Sequence, residues 1–153
     1  MTDTTTSTTG TVRDSAATIR YTADTVILDS DGRVLLIERG HPAYQGLLAL
    51  PGGHVNVGET SRRAAAREAL EETGILVNPD DLVFVGLYDE PDRDPRGRYI
   101  GTAYLARVPA GTFARAGDDA AAVHWTPIDA LPERLAFDHA QILADARRIA
   151  SGR

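Results

Sequence analysis

A chain of 153 residues is long enough for one well-buried core and short for two. A net charge of −6 without a basic run argues against a nucleic-acid-binding surface, and an acidic protein that handles phosphates needs cations to screen its substrate. The absence of cysteine excludes disulfides and thiol catalysis.

Residues 1–17 are rich in threonine and hold no apolar block, so a disordered tail rather than a signal peptide is expected there, with one domain over 18–153. Ile19 to Leu28 and Arg33 to Glu38 are β-rich runs joined by Asp29-Ser30-Asp31-Gly32, a hairpin signal. Arg39 to Leu47, punctuated by Gly40, Pro42 and Gly46, predicts a loop. Arg39 either reaches a substrate phosphate with its planar fork or is a surface arginine paired with an acid. Leu48-Ala49-Leu50 predicts a short strand, and Pro51 forces extended geometry on its predecessor. Gly52-Gly53 let the backbone approach something closely, or simply turn.

The next stretch, Gly53 to Ile75, reads GHVNVGETSRRAAAREALEETGI. Thr60 or Ser61 can cap a helix, Ala64, Ala65, Ala66, Ala69 and Leu70 favour one, and Gly74 ends it. Ala66, Ala69, Leu70 and Thr73 form the predicted packing stripe. Glu68, Glu71 and Glu72, three and four residues apart, share the opposite face. At a separation of about 5 to 6 Å and an effective dielectric near 20, each carboxylate pair repels by about 3 kcal/mol. Partial burial therefore demands a cation, and hard oxygen donors favour Mg²⁺ or Mn²⁺. A solvated acidic helix is the other reading of these three residues alone.

Asn78-Pro79-Asp80-Asp81 predicts a turn, and Leu82 to Glu90 a strand. Pro91 to Gly97 is a charged, proline-punctuated loop; Arg98 to Val108 returns as a strand. Pro109 to Gly117 is a loop by composition, Asp118-Asp119 a turn, and Ala121 to Trp125 a short strand. His124 beside Trp125 can stack on a base or simply pack. Asp138 to Ala150 is an amphipathic helix through Ile142, Leu143, Ala146 and Ile149, with Asp138 as its expected N-cap.

From Gly53 the spacing runs glycine, five residues, Glu59, seven residues, Arg67-Glu68, two residues, Glu71-Glu72, one residue, Gly74 and apolar Ile75. This pattern closely resembles the Nudix box of the Nudix hydrolases, with Ala69 a weak filler of the first apolar position. The resemblance implies an α/β fold, an α/β/α sandwich with a mixed central sheet. It implies Mg²⁺, with Mn²⁺ possible, held by the carbonyl of Gly52 and by Glu68 and Glu72, with Glu71 a further ligand or a water-orienting acid. Gly53, Glu59 and Arg67 become structural support of the site, the last two as an ion pair. Some family members place an acid in the later loop as a fourth ligand or a base, which makes Asp118 and Asp119 candidates; the other reading is that both are turn residues.

Pro91 stands sixteen residues beyond Ile75, and ADP-ribose pyrophosphatases of the family carry a proline at about this spacing. Arg93 and Arg96 then contact the diphosphate or terminal ribose, or belong to a solvated turn held by Asp92 and Asp94. Phe137-Asp138-His139 also resembles a run seen in related pyrophosphatases, which Asp138 as an N-cap explains equally well, and no catalytic role is assigned to His139. The resemblance thus implies hydrolysis of a nucleoside diphosphate linked to another moiety, with ADP-ribose giving AMP and ribose 5-phosphate. The alternatives are a nucleoside triphosphate pyrophosphohydrolase and a non-catalytic nucleotide sensor. Family regulators carry an added DNA-binding domain, for which a chain ending at Arg153 is expected to have no room. A nucleotide-type small molecule is the expected partner, with neither nucleic acid nor membrane, and a cytoplasmic homodimer is the expected assembly.

Overall fold

A computed structural model describes residues 18–117 and 119–152. The tail expected at 1–17 and the candidate Asp118 lie outside the described residues. Strands β1 (Ile19–Asp29) and β2 (Arg33–Arg39) form the predicted hairpin, followed by β3 (Leu48–Ala49) and β4 (Gly52–His54). Helix α1 (Ser61–Thr73), a 3-10 turn (Pro79–Asp81), β5 (Val83–Tyr88), β6 (Arg98–Val108), β7 (Ala120–Pro127) and α2 (His139–Ala150) complete the chain.

The sheet is mixed. β1 runs parallel to β6 along its whole length, whereas β1 with β2, β5 with β6, and β2 with β7 are antiparallel. Alternate residues of the near-continuous apolar strands point to opposite faces. Ile27 and Leu35 pack with Ala64, Ala65 and Ala69 of α1. Val26, Val34 and Leu36 pack with Ile142, Leu143 and Ala146 of α2 on the other side. The result is the expected three-layer α/β/α sandwich. Among the described residues no helix is long and apolar enough to cross a membrane.

Two local features differ from the sequence reading. Gly52-Gly53 make the close approach that was one of their two readings, against Asp24 and Glu68, but from within a short strand that pairs with β1, with Ala23 opposite Gly53 and Asp24 opposite Gly52. The packing stripe of α1 is also rotated: Ala64 and Ala65 are fully buried, while Leu70 is 45% exposed. Alanine lets the helix axis approach the sheet, and a leucine one position past Ala69 falls off that line. The same rotation carries Glu72 to the buried side.

One departure from a simple sheet positions the site. β1 and β2 pair only at Leu28 and Val34, beside the turn, and then splay apart. β3 fills one side of the fork by pairing with β2, and β4 fills the other by pairing with β1. Leu50 and Pro51 cross between them: Thr25 donates its amide to the carbonyl of Pro51, and the Leu50 amide donates to Nδ1 of His139. A cleft opens in this fork.

Candidate active site

The cleft, of about 310 Å³, is lined by Asp24, Gly52, Gly53 and Glu72 on one wall and by Arg39, Arg93, Arg96 and Phe137 among others on the rest. α1 delivers the acidic wall. Thr60 caps the helix by accepting from the Arg63 amide, and Gly74, at φ 73, returns its amide to the carbonyl of Leu70. This end is anchored further, because the amides of Arg115 and Gly117 donate to the carbonyls of Thr73 and Glu72. A Cβ on Gly117 would overlap the carbonyl oxygen of Glu71, so glycine is required for that approach.

Glu72 is 6% exposed and accepts from the Gly52 amide at 3.0 Å. Burial, with Glu68 and Asp24 nearby, pushes its carboxyl up to about 8. The carboxylate of Glu68 lies against Gly53, where a Cβ would overlap Oε1 and come within 2.8 Å of Oε2. Glu71 is farther out, with a side chain 40% exposed, and does not line the cleft.

Arg67 organises three of the acids. Its Nε is 2.8 Å from Oε2 of Glu59, its Nη2 reaches Oε1 of Glu59 and the carbonyl of His54, and its Nη1 reaches Glu68 at 2.8 Å and Glu71 at 3.2 Å. These bonds hold Glu59 down at about 2 and raise the Arg67 guanidinium. One cation thus gathers the carboxylates of loop and helix. Among the described residues no three His, Asp or Glu side chains surround a common point closely enough to hold a metal ion as they stand. The donor set nevertheless fits a hard divalent cation. It offers carboxylate and carbonyl oxygens, a glycine cradle against Glu68, and two acids, Asp24 and Glu72, whose charged forms burial disfavours until a cation stands beside them.

The arginines of the facing wall differ in their attachments. Arg93, whose side chain is 5% exposed, forms a fork-to-fork pair with Asp138 rather than with Asp92, both bonds at 2.8 Å. Asp138 consequently makes no side-chain cap bond to α2, contrary to the capping role expected of it. Arg96 pairs with Asp94 at 3.0 and 2.8 Å and lies over Tyr99. Arg39 donates from Nε to the carbonyl of Ala43 at 2.6 Å, with Nη2 3.5 Å from the carbonyl of Pro42. It is not paired with an acid among the described residues. Asp119 stands at the mouth with its side chain 82% exposed, facing Nε2 of His41 at 3.5 Å.

Three cleft residues escaped the sequence reading as site residues. Asp24 is 7% exposed, and burial, only partly offset by Arg93, pushes it up to about 7. Its signal was an acid inside a run of otherwise strand-forming residues. His139 is held neutral, down at about 4, by burial, with Nε2 3.8 Å from Oδ2 of Asp24. Phe137 contacts Tyr44, His139, Arg39 and Arg96.

Similarity to known proteins agrees with this geometry. The NUDIX domain family matches residues 18–146. An ADP-ribose pyrophosphatase of Methanocaldococcus jannaschii is 41% identical over 126 residues, covering 82% of this chain and 72% of the relative. The NUDIX domain of Shewanella oneidensis NrtR, solved with ADP ribose, superposes with a TM-score of 0.78 at 26% identity over 87% of this chain and 89% of that one. A bifunctional NMN adenylyltransferase/ADP ribose pyrophosphatase of Francisella tularensis, solved with AMP and a Mn ion, superposes with a TM-score of 0.76 at 28% identity. That match covers 89% of this chain but 42% of the Francisella chain. The chain belongs to the NUDIX domain family and is a Nudix hydrolase.

Proposed function

We propose that this Nudix hydrolase cleaves the diphosphate of ADP-ribose into AMP and ribose 5-phosphate, with Mg²⁺ as its cofactor and Mn²⁺ as a substitute. The observation that carries the reading is the cleft itself, which Glu72 and the Gly52-Gly53 backbone line together with Arg39, Arg93 and Arg96. A diphosphate that bound cations and guanidinium groups can neutralise together is the ligand that such a lining suits. The relative named as an ADP-ribose pyrophosphatase and the ADP ribose bound by the Shewanella domain support the same substrate.

In this reading Glu68, Glu72 and the Gly52 carbonyl, with Glu71 beside them, hold the cations. When bound, divalent cations neutralise the diphosphate and acidify a water. Arg67 and Glu59 keep the loop and helix in register, and Gly53 leaves room for the Glu68 carboxylate. Glu71, Asp118 or Asp119 takes the proton of the attacking water. Arg39, Arg93 and Arg96 balance the charge of the phosphates. No covalent intermediate is required. The active form is a cytoplasmic homodimer in which each subunit helps to complete the other's pocket; a monomer by light scattering at assay concentration contradicts that part.

A panel of ADP-ribose, other nucleoside diphosphate conjugates and nucleoside triphosphates, with products identified by chromatography, tests the substrate. AMP from ADP-ribose is the expected result. Pyrophosphate released from triphosphates, with ADP-ribose untouched, overturns it.

A further inference from the structure

Phe137 is strained. It is a non-glycine residue at φ 52, in the left-handed region that side chains disfavour. Such a conformation persists where surrounding contacts over-determine it, and it then asks what the contacts achieve. Here they join the start of α2 to residues 39–44 and to the loop of Arg96. The ring meets Tyr44 edge-on at 4.9 Å and His139 at 5.3 Å. The guanidinium of Arg39 lies 4.8 Å from its centroid, and that of Arg96 lies 5.2 Å away. Arg96 also lies 4.9 Å from the centre of the Tyr99 ring, so aromatic and cationic groups alternate along the cleft wall.

The two cations in this column are not equivalent. Arg96 is neutralised by the fork of Asp94. Among the described residues Arg39, at the end of β2, contacts the carbonyls of Pro42 and Ala43 and the ring of Phe137, with no carboxylate at ion-pair distance. Carbonyl oxygens orient a guanidinium without cancelling its charge. Glu72, Asp94 and Asp119 favour this charge only from a distance, so the guanidinium keeps donors that an anionic ligand can take up. The ring fixes where that charge stands, because a guanidinium stacked on an aromatic face loses its freedom to swing.

We propose that Phe137 is a positioning residue that holds the Arg39 guanidinium in place to grip a phosphoryl oxygen of the substrate. The inference rests on the diphosphate reading above and deepens it by assigning the grip to one cation and its aromatic support. Arg39 binds phosphate in ground and transition states alike, so Phe137 governs KM and leaves kcat nearly unchanged.

The test is a double-mutant cycle on the full chain, Phe137→Leu and Arg39→Lys singly and together, with Phe137→Trp as the conservative replacement. Two readouts are taken: KM and kcat for ADP-ribose with magnesium, and calorimetric binding of its α,β-methylene analogue. Phe137→Leu is expected to raise KM and the dissociation constant about five- to tenfold, the range for a partly desolvated cation–π contact, with kcat within about twofold. In the Arg39→Lys background the same change is expected to cost almost nothing, and Phe137→Trp to restore most of the loss. Full additivity, or an equal loss in Phe137→Trp, overturns the proposal while leaving the diphosphate reading intact. If Phe137→Leu does not fold, Phe137→Met takes its place in the cycle with Arg39→Lys and the same criterion of coupling decides. A parent that neither cleaves ADP-ribose nor binds the analogue overturns both.

Discussion

The amide of Gly52 donates to Oε2 of Glu72 at 3.0 Å, joining β4 to α1 across twenty residues of chain. The bond is possible only because nothing projects from Gly52. Its Cα is pressed against β1, where a Cβ would overlap Oδ1 of Asp24 and stand 2.6 Å from the carbonyl oxygen of Ala23. Strand pairing, the carboxylate of α1 and the floor of the cleft therefore meet at one residue.

Gly52→Ala is consequently expected to destabilise the protein by about 3 kcal/mol, the upper part of the overpacking range, because the obstacle includes main chain that cannot swing aside. Urea denaturation measures it. A loss below about 0.5 kcal/mol would contradict a close β1–β4 contact at this residue.

Arg67 is the cation that the acids of loop and helix share when no metal is added. Arg67→Gln should cost the metal-free protein about 1–2 kcal/mol, since three partly exposed pairs are each worth at most about 1 kcal/mol and are not independent. Saturating magnesium should shrink that loss by restoring positive charge among the same carboxylates. Chemical denaturation with and without the metal checks both statements; an identical loss in the two conditions argues against metal binding by these acids.

Arg93 is buried while its partner Asp138 keeps a side chain 24% exposed, so breaking the pair leaves one charge only partly solvated. Arg93→Met is expected to cost about 2–3 kcal/mol, below the loss for a fully buried pair, and the double change Arg93→Met with Asp138→Leu markedly less. Thermal or urea unfolding of the three proteins tests this. A double variant no better than the single one would mean that Asp138 depends on partners other than Arg93.

Asp24 gives a pH-dependent expectation. In the fold it keeps its proton up to about pH 7, whereas the unfolded carboxyl releases it near pH 3.8. The folded state thus binds more protons between those values, and stability falls as the pH rises through them. Asp24→Asn removes this penalty. In metal-free buffer the variant should gain on the parent as the pH goes from 4 to 7 by a few kcal/mol, three pKa units at about 1.4 kcal/mol each being the upper bound, and hold the gain above pH 7. His139, held at about 4, acts in the opposite direction in both proteins, and its shift lies mainly below pH 7. Equal shifts at pH 5 and pH 8 contradict the assignment.

What could be read from the chain follows the range of the interactions involved. The α1 caps, the hairpin turn and the eight-residue reach from Glu59 to Arg67 are local, and spacing alone exposes them. The fork between β1 and β2 is not local. It depends on Leu50 and Pro51 crossing from one strand to the other, which no periodicity announces. Arg93 was read against its neighbours Asp92 and Asp94, yet its partner is forty-five residues away on the approach to α2. Asp24 was invisible for the same reason, and Phe137 stood out only as part of the Phe137-Asp138-His139 run, with no role attached. An acid in a strand and an aromatic before a helix acquire meaning only when the fold gathers them around one cleft. The placement of Leu70 failed on a smaller scale: alternation fixes a face only to within about one residue of helix rotation, and α1 chose the alanine line.

The central claim is that the carboxylates of α1 serve hydrolysis of a diphosphate. The most direct measurement is the rate of AMP formation from ADP-ribose by the parent and by Glu68→Gln, both with magnesium and both shown folded by circular dichroism. The account predicts a loss in kcat of about a hundredfold or more in the variant, comparable to losing a major electrostatic group of an active site. Equal rates in the two proteins would contradict it.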